Sequence, residues 1–136
     1  SGSAIAALAD IGVKDSKAMN DSAILRVAVE IRKNYQHHIL RINPLKYNEL
    51  YSKFQNLNRL LAWAHATTIE SLVEKTKCRN VIVDQFANEE VVKTALKRKS
   101  LEVNLTQRHR AEEDLVVAAA SILAREAFLM GLKQLG

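Results

Sequence analysis

Hydrophobic positions along this chain switch repeatedly between a helical and a strand period, which predicts helices interleaved with short strands. Residues 4–11 are a small apolar segment, expected to form a short helix ending near Gly12, and a polar turn, VKDSK at 13–17, follows. Asn20 or Asp21 can cap the next helix, because a short polar side chain accepts from the free N–H groups of a first turn; Ile24, Val27, Ala28 and Ile31 then share one face. Residues 35–42 are rich in strand-forming types and stop at Asn43-Pro44, where the residue before proline is pushed out of the helical region. A strand and a turn are expected there. Residues 46–54 predict a short helix with Tyr47, Leu50, Tyr51 and Phe54 on one side, and a longer helix runs from Leu57 through Leu60, Leu61, Ala64, Thr68 and Leu72 to about Lys77. Val81, Ile82 and Val83 make a short run of the kind buried on both faces of a sheet, ended by Asp84. Asn88, Glu89 and Glu90 open another helix, and Leu101, Val103 and Leu105 alternate with Glu102 and Asn104 as a half-buried strand does.

The closing stretch, RAEEDLVVAAASILAREAF at 110–128, opens on Glu112, Glu113 and Asp114 and then carries no charge from 115 to 124. Acidic side chains suit the positive end of a helix dipole, and Ala118, Ala119, Ala120 and Ser121 are small enough to let this helix approach a sheet closely. Strands alternating with helices give an α/β layered domain, in which chemistry gathers beyond the ends of strands. Asp84, where Val81-Ile82-Val83 runs out, and Glu112, where a loop enters a helix, could therefore converge. Hard cations such as Mg²⁺ are held by one or two such carboxylates together with substrate phosphate. On this stretch alone, a buried helix with a solvated acidic cap is the better explanation, since clustered charge is a weak site signal.

Composition narrows the class. With 136 residues, 48% hydrophobic and 26% charged, the chain is one ordinary globular domain in size. A formal charge of +5 suits a polyanionic partner. The lone Cys78 excludes an internal disulfide framework and a CxxC metal pair. No apolar run is expected to reach the roughly 18 residues of a membrane span, and no basic-then-apolar secretory pattern opens the chain. The expectation is a cytoplasmic protein without a membrane partner.

VKDSK at 13–17, NPLKYNELY at 43–51, NLNRLLAWAH at 56–65, VIVDQFAN at 81–88 and RAEEDLVVAAASILAREAF at 110–128 occur in the order of the type 2 ribonucleases H. The chain resembles that family from about Gly12 to Leu132, and specifically its ribonuclease HIII branch. The resemblance implies one partial ribonuclease H-like α/β domain over residues 1–136, a central mixed sheet flanked by helices and missing its first strands, with residues 1–3 a linker remnant. It implies endonucleolytic cleavage of the RNA strand of RNA/DNA hybrids by two-metal-ion phosphodiester hydrolysis with Mg²⁺ or Mn²⁺, leaving 5′-phosphate and 3′-hydroxyl ends. Asp84 matches the family's third carboxylate and Glu112 the fourth, with Glu113 and Asp114 as alternatives. The family's adjacent Asp-Glu pair and glycine-rich segment have no counterpart in this sequence. A fragment, or a chain completed by an N-terminal segment or a second polypeptide, is therefore expected, inefficient at cutting on its own. The alternative function is a non-catalytic hybrid-binding or structural fragment.

Other residues carry paired readings. Ser16 and Lys17, in the DSK motif, could hold a phosphate or form a turn whose Asp15 and Ser16 bond the local backbone. Arg108 and Arg110 flank His109 in a basic cluster suited to substrate phosphates, or in a solvated loop. Ser121 could approach substrate, though close packing explains it better. Asn56 and Asn58 read as helix-start residues and His65 as a packing residue. Trp63, Tyr47, Tyr51 and Phe54 read as core or rim rather than a base-stacking platform.

Overall fold

The computed structural model describes residues 2–84, 89–108 and 115–135, and these fall into two compact units, Ser1–Ile39 with His109–Gly136, and Leu40–Arg108. The first unit is helical. Helix α1 (Gly2–Ile11) ends at Gly12, whose φ of 99° is a left-handed conformation that glycine adopts without penalty. Gly12 N–H donates to the Ala9 carbonyl and Val13 N–H to that of Leu8, the paired bonds that close a Schellman C-cap. A 3-10 turn follows at Ser16–Ala18, capped by the Asp15 carboxylate, which accepts from Lys17 N–H. Asn20, extended at φ −81° and ψ 169°, then caps α2 (Asp21–Asn34) by accepting from Ala23 N–H at 2.8 Å.

The long helix of this unit is α6 (Leu115–Leu135). The intervening helices α3 (Pro44–Phe54), α4 (Leu57–Thr76) and α5 (Glu89–Arg98) belong to the second unit. Ile24, Val27, Ala28 and Ile31 of α2 are buried against Ala118, Ala119, Ile122 and Leu123 of α6, with Leu8, Val13 and Met19 closing the cluster. The expected apolar face of α2 is therefore the observed one. The small residues Ala118 and Ala119 of α6 lie in the same cluster as the apolar face of α2, and α6 packs on α2 and α1. An 18-residue window of α6, Leu115–Leu132, is long and apolar enough to cross a membrane by length and composition alone. Within it Arg125 and Glu126 are both ion-paired, to Asp21 and Arg32 respectively.

The Arg32–Glu126 pair fixes how α6 lies on α2. Arg32 Nη2 donates to Glu126 Oε2 at 2.9 Å, and the Glu126 side chain is only 10% exposed against 43% for Arg32. Arg32→Ala would leave a buried carboxylate without its partner, so chemical denaturation should show a loss of about 1–2 kcal/mol, below the value for a fully buried pair because the arginine is partly hydrated.

In the second unit, α3 (Pro44–Phe54) starts where Asn43, extended, caps it and Pro44 occupies the first turn; α4 (Leu57–Thr76) is capped in the same way by Asn56. Asn58 lies inside α4 and is not a cap. The expected strand at 35–42 is absent: these residues are irregular. Strand-forming side chains do not make a strand without a partner edge to satisfy their N–H and C=O groups, and among the described residues no strand pairs with this segment. Tyr35 and Ile39 pack on the helical core of the first unit instead.

Strand β1 (Asn80–Asp84), α5 (Glu89–Arg98) and β2 (Asn104–Arg108) form a βαβ unit with parallel strands. Ala62, Ala66, Ile69 and Val73 of α4 bury Val83 of β1 together with Val92 and Leu96 of α5. β1 is covered on one face only, since Val83 is buried while Ile82 is 39% exposed, so the expectation of burial on both faces fails here. β2 begins at Asn104, leaving Leu101 and Val103 before the strand though packed against the same cluster. The α/β class stands, and the sheet among the described residues is this parallel pair.

Candidate functional site

Both parallel strands end at the same edge of the sheet. Asp84, the last residue of β1, is the register partner of Arg108, the last of β2. Two residues 24 positions apart in sequence thus close one ladder, a carboxylate beside a guanidinium-bearing residue, at the carboxyl ends where α/β sheets gather ligands. Asp84 is exposed. Its oxygens suit a hard divalent cation, as one ligand among several. Among the described residues no group of three or more His, Cys, Asp or Glu side chains could hold a metal ion, so Asp84 fits as a contributor to such a centre rather than as the whole of it. Glu112, with its alternatives Glu113 and Asp114, and Arg110 lie outside the described residues.

His65 joins this neighbourhood. It is half-buried on α4, and burial pushes its imidazole pKa below the usual 6.5, opposed by the nearby Asp84 carboxylate, which favours the charged ring. In the sequence His65 reads as a packing residue, because a histidine on a helix carries no sign of which strand end it will face. The lowered pKa has a definite linkage. The unfolded chain takes up a proton at 6.5 that the folded chain resists, so stability is full above 6.5 and falls as pH drops from there towards the lowered folded value. Urea midpoints measured at about pH 7.5 and pH 5.5 should show this loss in the parent and less of it in His65→Gln, with Asp84→Asn making the loss steeper by removing the opposing charge.

The other expected contacts lie in the first unit. Ser16 and Lys17 sit in the 3-10 turn, with Ser16 half-buried and Lys17 exposed; Ser121 is half-buried on α6. The turn reading of Asp15 is realised in its bond to Lys17 N–H, and the turn also presents the lysine outward. Arg125, one turn beyond Ser121 on α6, was not expected. Its Nη1 donates to the carbonyls of Ser16 at 2.6 Å and Met19 at 2.9 Å, and its Nη2 to Asp21 Oδ1 at 2.7 Å. A signal for it existed in the sequence: a charge inside a long apolar helix needs a partner.

The aromatics behave as rim residues. Phe54 and Trp63 pack at 6.2 Å with their planes tilted by 42°, and both line a cavity of about 440 Å³ along α4 and α5 that does not include Asp84. Tyr47 and Tyr51 stack at 6.1 Å on α3.

Comparison with known proteins places this α/β fold in the ribonuclease H-like class and gives the particular family. The chain belongs to the ribonuclease HII family, whose model matches residues 2–136. It is 63% identical over 125 residues to ribonuclease HIII of Protochlamydia amoebophila, covering 92% of this chain and 42% of that protein, and 50% identical to that of Chlamydia felis, covering 90% and 42%. Among solved structures, Bst-RNase HIII in complex with Mn²⁺ superposes with a TM-score of 0.87 at 31% identity, over 96% of this chain and 44% of that one. The chain spans less than half the length of these relatives.

Proposed function

We propose that this chain is the part of a type 2 ribonuclease H that carries the third and fourth carboxylates of an RNA/DNA-hybrid endonuclease. The observation that supports it most is the exposed Asp84 at the carboxyl end of β1 with Arg108 in register beside it, in a chain of the ribonuclease HII family with a solved relative bound to Mn²⁺. The reaction is hydrolysis of a phosphodiester in the RNA strand: a water oxygen bonds to phosphorus, the bond from phosphorus to O3′ breaks, and the released O3′ takes a proton. Asp84 and Glu112 would hold Mg²⁺ or Mn²⁺ together with an adjacent Asp-Glu pair supplied by a further segment or polypeptide. Bound there, divalent ions would make a water nucleophilic at neutral pH and offset the charge that builds on the phosphate. Arg108 and Arg110 would neutralise flanking phosphates, as would Lys17 from its exposed turn, while the Ser16 and Ser121 hydroxyls can bond phosphate or ribose oxygens.

The substrate class is tested with the chain itself. Anisotropy titrations of a labelled RNA/DNA hybrid and of a DNA duplex of the same sequence, at several salt concentrations, should show tighter binding to the hybrid. Equal affinity with equal salt slopes would mean that the charge of +5 alone drives binding, and would sink the hybrid reading.

A further inference from the structure

The polar turn at Ser16–Ala18 is three residues long, too short to hold its shape by its own hydrogen bonds. Within it Ala18 N–H donates to the Asp15 carbonyl at 3.0 Å and Met19 N–H to that of Ser16 at 3.2 Å. Buried Val13 and Met19 anchor its two ends in the first core. Between these anchors, a side chain from another helix reaches the turn. Arg125 reaches across from α6 and satisfies the carbonyls of Ser16 and Met19 with one nitrogen while its other nitrogen engages Asp21 at the start of α2. A planar guanidinium with donors in a rigid fork can hold several acceptors in a set mutual arrangement, which a lysine cannot. The guanidinium is 32% exposed and its Asp21 partner 64%, so the ion pair itself adds little stability. Its geometric effect is the larger one.

We propose that Arg125 is a positioning residue: it fixes the backbone that carries Ser16 and Lys17, and so sets where the Lys17 ammonium meets a substrate phosphate. The inference rests on the reading of this turn as a hybrid-binding element. Arg125 touches the turn through its carbonyls and acts on substrate only through Lys17. Ser121 lies on the same side of α6, at the i, i+4 spacing, so one helix would carry both a candidate contact and the support of another.

The test combines amide exchange with a double-mutant cycle in the full chain. Arg125→Gln should speed exchange at Ala18 and Met19 and weaken binding of a labelled RNA/DNA hybrid by roughly three- to tenfold, the size of losing one screened phosphate contact. Lys17→Ala should weaken it similarly, and the double variant no further, since both changes remove the same contact. Arg125→Lys, which keeps the charge and serves if Arg125→Gln folds poorly, should fall between parent and Lys17→Ala in affinity. Four results in the Arg125 variants would overturn the proposal: unchanged exchange in Arg125→Gln; parent-like hybrid affinity in that variant while Lys17→Ala binds weakly; additive losses in the double variant, which would place Arg125 on the substrate itself; or full restoration by Arg125→Lys, which would make charge alone sufficient. Parent-like affinity in Lys17→Ala would instead remove the turn from substrate binding altogether, and the proposal with it.

Discussion

Ile122→Ala is expected to destabilise the chain by about 2–5 kcal/mol, the range for removing a large aliphatic side chain from a packed core. Ile122 is fully buried, in one cluster with Ile24, Val27 and Ala28 of α2, and it is among the largest side chains with no exposure. The cost has two parts, the lost transfer of the removed methylenes from water and the cavity left between two helices already held close by Ala28, Ala118 and Ala119. Small neighbours cannot swing in to fill it. Val116→Ala on the same helix is the control: Val116 is 54% exposed, and its truncation should change stability by no more than about 0.5 kcal/mol. Urea denaturation of the three chains side by side makes the comparison, and equal losses at the two sites would contradict the packing described.

Asp84→Asn should reduce divalent-ion-dependent cleavage of an RNA/DNA hybrid on the order of a hundredfold or more, since an amide oxygen keeps the shape but not the charge that holds a hard cation. The measurement is made in a chimera, in which this chain replaces the 125-residue segment of the Protochlamydia amoebophila ribonuclease HIII to which it is 63% identical. Hybrid affinity without divalent ions should be unchanged or slightly tighter in the variant, because a negative charge has been removed from beside phosphates. A variant that cuts as fast as its parent would remove Asp84 from the metal-holding role.

Short-range signals are legible where the residue itself makes the contact. Asn20 and Asn56, expected at helix starts, each accept from an N–H three positions on; Asn43, expected only in a turn before proline, does the same, while Asn58, also expected at a helix start, lies inside α4. The buried face of α2 was legible for the same reason of spacing. Residues 35–42 misled because strand propensity says nothing about whether a partner edge is present. Asp84 was legible as a strand end. Its pairing with Arg108 was not, since parallel register is set across a crossover helix rather than along the chain. Arg125 lies 109 residues from Ser16, and only the fold shows that its donors end on the turn that carries the DSK motif. His65 likewise became part of the Asp84 neighbourhood only once α4 was laid on β1.

The most direct test of the hybrid-nuclease reading is digestion of an end-labelled RNA/DNA hybrid by the chimera, with Mg²⁺ or Mn²⁺ and with the ions chelated. The account predicts cuts confined to the RNA strand, leaving 5′-phosphate ends, that vanish on chelation and are lost in Asp84→Asn. A chimera that is folded and binds the hybrid, yet leaves the RNA strand intact with either ion, would contradict it and leave this chain a binding element alone.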